Sequence, residues 1–313
     1  MRDFRSQKSF MNGKILCIAG ATGVGKSKIA IETAKAIGGE IISADSMQIY
    51  KGLDIGTAKI TQEETNGIKH YMLDILSPDD KFSGFEFAET ASGIIKQLFS
   101  KNVYPIVVGG TGFYFDSLLY PPTYTDTNKD SIRAKLLAQA KEYGADYVYD
   151  LLKSVDKESA EKIHKNNIFR VVRALEIYYS TGKKKSELPL PTNKKFDADI
   201  IVLTTDRNTL YDRIDDRVDK MVNDGLFDEV KDLYQKFGRD CLCFSAIGYK
   251  EILDYFDGKT TKEESVAAIK LNSRHYTKRQ ISYFKRFKDA VWIDVDYDFP
   301  QRTVDKILEA INL

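Results

Sequence analysis

Gly20-Ala21-Thr22-Gly23-Val24-Gly25-Lys26-Ser27 is a complete G-x-x-x-x-G-K-[ST] run, preceded by the apolar stretch Ile15-Leu16-Cys17-Ile18-Ala19 and followed by a helix-like stretch, Lys28 to Ile37. Strand, glycine-rich loop and helix in that order form the cradle that grips a phosphate chain. Glycines let the backbone close into a concave nest of N–H groups. The helix start adds its positive end, Lys26 a mobile cation, and Ser27 a hydroxyl able to ligate Mg²⁺. A plain glycine-rich turn would rarely fall between a strand and a helix. The cradle names a ligand type rather than a reaction, since kinases, NTPases and transferases share it.

The α/β pattern continues outward from this run. Glu40–Ala44 and Pro105–Val108 read as further strands, the second fully apolar as a buried parallel strand is. Helical spacing marks 85–99, and Gly109-Gly110-Thr111-Gly112 punctuates the third strand before a helix over 113–119. Beyond Pro121-Pro122 no strand pattern is visible until Asp199-Ile-Ile-Val-Leu-Thr204, and Val291-Trp-Ile-Asp294 reads as a late core strand. The predicted fold is therefore α/β, a P-loop NTPase-like parallel sheet core with an inserted all-helical domain. Its expected bounds are 1–122 for the first part of the core, 123–196 for the insertion and 197–313 for the second part.

The 313 residues carry 47 Lys and Arg against 46 Asp and Glu, so no single-sign field covers the surface and any nucleic-acid site must be local. Two local excesses stand out. Residues 125–195 hold fifteen basic against ten acidic side chains, and Gly182-Lys-Lys-Lys185 and Pro189-Leu-Pro191 mark the exit of that segment. Lys270, Arg274, Lys278, Arg279, Lys285, Arg286 and Lys288 follow one another with no acid until Asp289, beside Tyr276, Tyr283 and Phe287. One face of this stretch can pack while the next meets phosphates. Three cysteines, Cys17, Cys241 and Cys243, are too few for a disulfide framework or a zinc site. Arg2, Arg5 and Lys8 precede no apolar leader, and no run of about 20 apolar residues exists, so a cytoplasmic protein without a membrane segment is expected.

Asp45-Ser46-Met47-Gln48 follows the second strand, and an acid at the carboxyl end of a parallel strand faces the ligand of such a sheet, unless it only caps a turn. Asp206 can cap the helix whose Leu210, Ile214, Val218 and Met221 form an apolar stripe, with Arg213 and Arg217 sharing another face.

Taken with Asp54-Ile-Gly-Thr-Ala-Lys59, His70-Tyr-Met-Leu-Asp74, Val108-Gly-Gly-Thr-Gly-Phe-Tyr114, Ile163-His164, Arg170-Val-Val-Arg-Ala-Leu-Glu176, Ala246-Ile-Gly-Tyr-Lys-Glu251 and Arg274-His-Tyr-Thr-Lys-Arg-Gln280, these motifs resemble the bacterial-type tRNA dimethylallyltransferases over nearly the whole chain. The resemblance implies transfer of a dimethylallyl group from its diphosphate to the exocyclic amine of the adenosine 3′ of the anticodon. It implies Gly20, Thr22, Gly23, Val24, Gly25, Lys26 and Ser27 around the diphosphate, with Ser27 on Mg²⁺. Asp45 is the expected general base, with Thr111 beside the reacting amine and Arg217, or Arg213 one turn away, supporting the leaving group. RNA contacts are implied for Asp45, Ser46, Met47, Gln48, Thr111, Arg133, Phe169, Arg170, Val171, Val172, Arg173, Ser245, Gly248, Tyr249, Lys250, Arg274, Lys278, Arg279 and Gln280. His70 and His164 are as readily packed as RNA-bound. The partner is a tRNA anticodon stem-loop, and a monomer is expected because one chain carries every part.

Ala21 stands where the family often has Pro, Ser27 where Thr is common, and Ser282-Tyr283 where Thr-Trp is usual; none of these removes a needed functional group. Three rivals remain at this level. A small-molecule isopentenyltransferase acting on AMP, ADP or ATP would not need the insertion or the basic C-terminal stretch. A P-loop kinase or NTPase would want an acid closing a strand such as Ile106–Val108. An RNA-binding protein with a degenerate site would not need Lys26, Ser27, Asp45 and Thr111 together.

Overall fold

A computed structural model describes residues 13–120, 129–188 and 194–313. Arg2, Arg5, Lys8, Pro121-Pro122 and Pro189-Leu-Pro191 lie outside the described residues. The chain forms two compact units, one combining the N- and C-terminal segments and one drawn from the segment between.

The first unit is built on six strands: β1 Lys14–Gly20, β2 Gly39–Ser43, β3 His70–Tyr71, β4 Tyr104–Gly109, β5 Asp197–Thr204 and β6 Val291–Asp294. They form one parallel sheet of order β3-β2-β4-β1-β5-β6. β1 reads as a continuous apolar run because both of its faces are covered. Ile15, Cys17 and Ala19 enter one core layer and Leu16 and Ile18 the other. Helix α1, Lys26–Ile37, ends at Gly38, whose φ of 67° suits the left-handed cap. Ser83 and Glu86 form a capping box for α2, Gly84–Ser100. The short α3, Gly112–Leu119, follows β4. β3 was not expected: two residues are too few to show an alternation.

The second unit holds α4 Lys129–Tyr143, α5 Ala145–Val155, α6 Lys157–Lys162 and α7 Ile168–Thr181, packed around Leu136, Val148, Leu152, Val171 and Leu175. Its described residues contain no strand.

After β5, Asp206 accepts from the N–H groups of Asn208 and Thr209 at 3.0 Å each, capping α8, Arg207–Asn223. Leu210, Ile214, Val218 and Met221 are buried along α8, as their spacing requires. Then come α9 Leu226–Phe237, α10 Tyr249–Phe256, α11 Lys262–Phe284 and α12 Pro300–Ala310. The basic stretch of α11 and the residues just after it look unopposed in sequence but have counter-charges. Lys270 pairs with Asp219 at 2.7 Å, Arg274 with Asp215, and Arg286 with Asp116 at 3.3 Å. The acids come from α8 and α3, so the pairing is tertiary and leaves no mark on the local charge pattern.

β4 ends where the backbone comes closest to the turn after β2. A Cβ on Gly109 would lie 2.1 Å from the carbonyl oxygen of Ala44, a clash with backbone that cannot swing aside. Gly109→Ala is expected to destabilise the protein by at least ~2 kcal/mol. Gly93→Ala, in α2 with open space around the added methyl, is expected to stabilise it by about 0.5–1 kcal/mol. Thermal melts of the two variants should move in opposite directions.

Candidate active site

The phosphate loop leaves β1 at the centre of the sheet, next to β4, where the strand order reverses. Gly23 and Gly25 take φ of 86° and 91°, which open the loop ahead of α1. Thr22, Gly23, Gly25, Lys26 and Ser27 line a cleft of about 240 Å³. Two predicted loop ligands do not. Gly20 is buried against β5, where a Cβ would stand 2.7 Å from the Leu203 carbonyl oxygen. Val24 is fully buried, and its N–H donates to Ala21 O at 3.3 Å. These two shape the loop rather than face the ligand.

Four cations line the cleft; Lys28 is exposed, and the other three are each tied to a backbone carbonyl. Lys26 Nζ donates to Ala21 O at 2.8 Å, Arg213 Nε to Gly23 O at 2.9 Å, and Arg217 Nη2 to Thr57 O at 2.9 Å. Arg213 also stacks 4.0 Å over the ring of Tyr297. Desolvation lowers the Lys26 ammonium to about 8, against the attraction of Asp45. It also depresses Arg217, again opposed by Asp45. Charge is thus held partly dehydrated before any anion arrives, the arrangement in which an electrostatic contact is worth most.

Asp45 stands two residues beyond β2. Its Oδ1 accepts from the N–H groups of Met47 at 2.9 Å and Gln48 at 3.3 Å, so it does cap a turn. The capping uses one oxygen, and the carboxylate still faces two clefts. The second, of about 350 Å³, is lined by Ser46, Met47, Ile214, Val218, Met221, Ile247, Ile269 and Tyr276, among others. Thr22, Asp45 and Arg217 line both. Of the two candidate arginines, only Arg217 reaches the junction; Arg213 faces the phosphate cleft alone. Thr111, ahead of α3, accepts from the Ser46 N–H at 3.1 Å and so ties the β4 turn to the Asp45 turn.

Two residues of this site, Tyr276 and Glu229, escaped sequence reasoning. Tyr276, expected only to pack, stands beside Thr111 and Asp45, and burial followed by the charge of Asp45 pushes its phenol up to about 12. Glu229, on α9, accepts from the backbone N–H groups of Asp54 at 2.9 Å, Ile55 at 2.6 Å and Gly56 at 3.0 Å, and from the Tyr249 hydroxyl at 2.7 Å. One carboxylate thereby fixes the loop whose Thr57 carbonyl receives Arg217 and, at 3.2 Å, the Gln48 amide. Lys59 closes the same loop through Asp54 and Asp74. The only sequence signal for this was the run Asp54–Lys59, which names no partner.

The residues implied as RNA contacts separate into exposed and unavailable ones. In the helical unit Phe169 is 79% exposed and Arg170 is exposed, at the start of α7. Val171 and Val172 point into that unit's core and cannot meet RNA. Arg133 and Arg173 converge on the buried carboxylate of Glu176, at 2.8 and 3.0 Å, which offsets their charge. In the sheet unit Ser245 and Lys250 are exposed and border the second cleft, and Lys278 and Arg279 are exposed on α11. Gly248 and Tyr249 also line the second cleft but are buried, their polar groups given to Glu251 and Glu229. Arg274 is held by Asp215, and Gln280 is buried, bonded to the Thr22 N–H and to Gly110 O. His70 borders the phosphate cleft with Nδ1 2.8 Å from Ile68 O, and burial lowers its pKa. His164 is exposed.

Ser27 is exposed in the cleft, and Asp45 faces the same space. Among the described residues no group of three or more His, Cys, Asp or Glu could hold a metal by itself. That donor set fits Mg²⁺, which keeps several waters and takes much of its coordination from a bound phosphate. Cys17, Cys241 and Cys243 are buried free thiols, and among the described residues no helix is long and apolar enough to cross a membrane.

Known proteins share this architecture. The model of the IPP transferase family matches residues 48–287, and that of the isopentenyl transferases residues 13–80. The chain is 50% identical over 285 residues to the tRNA dimethylallyltransferase of Bacillus cytotoxicus, covering 90% of each. The full-length tRNA isopentenylpyrophosphate transferase of Bacillus halodurans superposes with a TM-score of 0.73 at 40% identity, over 96% of this chain and 97% of that one. A eukaryotic dimethylallyltransferase acting on tRNA superposes with a TM-score of 0.83 at 30% identity, over 96% of this chain and 79% of that one.

With Lys26 lowered to about 8, the free protein loses this cation as pH rises through 8, and anion binding must then take up a proton. Affinity for inorganic diphosphate is expected to fall by up to ~10-fold per pH unit above that point relative to a Lys26→Arg variant, which stays charged. Parallel calorimetric titrations of both proteins between pH 7 and 10 cancel the ligand's own titration; parallel curves would contradict the assignment.

Proposed function

The chain belongs to the IPP transferase family, and we propose that it transfers a dimethylallyl group from dimethylallyl diphosphate to the exocyclic amine of the adenosine 3′ of the anticodon in tRNA. The observation that carries this reading is the junction: Asp45 and Arg217 line both a phosphate cleft and a second cleft of mixed apolar and polar lining. A diphosphate seated over Gly23–Ser27 would place its alkyl end at that junction, where an extruded base can enter from the other side.

The chemistry follows from the charges. An adenine amine is a weak nucleophile, so the C–O bond to diphosphate must be well broken as the N–C bond forms. Lys26, Arg213 and Arg217 take up the negative charge that accumulates on the leaving diphosphate. Ser27 would hold Mg²⁺, which supplies further neutralisation of that diphosphate when bound. The allylic carbon carries delocalised positive charge. As the amine bonds to it, its proton becomes acidic and passes to Asp45, through the oxygen that the turn leaves unused. Thr111, tied to Ser46, is the residue proposed to orient the amine.

Phe169 and Arg170 on the helical unit, and Lys278 and Arg279 on α11, are the proposed contacts with an anticodon stem-loop; the turn Asp45–Gln48 is the proposed reader of the base. Action as a cytoplasmic monomer is part of the proposal, since one chain supplies every group named. The AMP-using alternative leaves the exposed basic groups of both units without a task. The kinase alternative lacks an acid at the end of β4, which closes Val107-Val108-Gly109.

Labelled dimethylallyl diphosphate should deliver label to an anticodon stem-loop and not to AMP, and Asp45→Ala should lower kcat/KM by ~10²–10⁴-fold. Label in AMP, or full activity of Asp45→Ala, would overturn the proposal. For binding, Arg170→Ala and Lys278→Ala should each reduce the salt slope of stem-loop affinity by about 1. Arg133→Ala, whose partner is already Glu176, should change that slope less.

A further inference from the structure

Gln280 is 5% exposed on the inner face of α11. Its Oε1 accepts from the backbone N–H of Thr22 at 2.9 Å, and its Nε2 donates to Gly110 O at 2.9 Å. A single amide therefore spans from the phosphate loop to the turn that carries Thr111. One helical turn earlier on the same face, Tyr276 stands beside Thr111 itself. The fit is close: a Cβ on Gly110 would lie 2.3 Å from Gln280 Nε2, and one on Gly112 2.3 Å from the ring of Tyr283.

We propose that Gln280 is a positioning residue that locks the phosphate loop to the Thr111 turn, and that its part in the reaction is to set the diphosphate site rather than to touch RNA. This rests on the diphosphate reading of the cleft. The side chain must accept at one end and donate at the other, which among side chains of this length an amide does and a carboxylate, an ammonium or a thioether does not. Thr22 lines both clefts, so the orientation of its peptide governs both the loop amides facing the phosphate cleft and the wall of the junction. The neighbouring Lys278 and Arg279 are exposed on the same helix. α11 thus presents cations outward and holds the reaction centre inward.

The test measures two affinities separately on the full chain: inorganic diphosphate with Mg²⁺ in the absence of RNA, and an anticodon stem-loop in the absence of diphosphate. Gln280→Met keeps the volume and loses both hydrogen bonds, leaving the Thr22 N–H and Gly110 O unpaired. It should weaken diphosphate binding about 10-fold and raise KM for dimethylallyl diphosphate, with stem-loop affinity and stem-loop KM unchanged within about twofold. Gly110→Ala, which presses on the same amide from the other side, should give the same split, so the inference does not depend on one variant folding. A wild-type diphosphate affinity in either folded variant, or a loss of stem-loop affinity in place of it, would overturn the inference. Failure of the wild-type protein to bind diphosphate would overturn the reading of the cleft itself, and this inference with it.

Discussion

Positive charge held out of water beside the phosphate loop is the constraint on which the rest of this structure depends. Lys26, Arg213 and Arg217 face one cleft, and among the described residues lining it Asp45 is the single acid. Water would solvate three such groups better than this surface does, which is why burial depresses Lys26 and Arg217. The fold keeps them in place by giving each a backbone carbonyl, those of Ala21, Gly23 and Thr57. A diphosphate would relieve the imbalance, and a leaving diphosphate, more charged than a bound ester, would relieve it further. Binding and bond breaking therefore draw on the same stored electrostatics.

Much of the surrounding structure serves to aim those carbonyls. Glu229 accepts three consecutive N–H groups of the 54–56 backbone and thereby fixes Thr57, which receives Arg217 and Gln48 together. Tyr249 leans on the same carboxylate, and no Cβ fits at Gly56, where one would stand 2.6 Å from the Tyr249 ring. On the other side the Thr111 turn is tied to Ser46 and approached so closely by Ala44 that Gly109 has no room for a side chain. The reaction centre is thus fixed from three directions by groups that need not touch substrate, as pre-organised catalysis requires.

The parts of this legible in the sequence were those with a local signature. The loop Gly20–Ser27 placed itself between strand and helix, the apolar runs of β1, β4 and β5 announced a sheet covered on both faces, and Asp206 marked the start of α8. Asp45, Ser27, Lys26 and Arg217 all reach the cleft that the motif implied. What stayed hidden depends on distant partners. The ion pairs of Lys270 and Arg274 are made with acids of α8, so α11 reads as unopposed charge when taken alone. Val171 and Val172 sit inside an RNA-like motif, but helical periodicity turns them inward beside the exposed Phe169 and Arg170. Gln280 and Glu229 each work across more than a hundred residues of chain, and no spacing rule predicts such a bond.

The most direct measurement is a crystal structure of the protein with an unreactive thio analogue of dimethylallyl diphosphate and an anticodon stem-loop. The account predicts the phosphates over Gly23–Ser27 within reach of Lys26 and Arg217, and the exocyclic amine of the extruded adenosine within hydrogen-bonding distance of Asp45, about 2.6–3.2 Å. Phosphates bound away from that loop, or an amine facing some other base with Asp45 turned wholly into its cap, would contradict it.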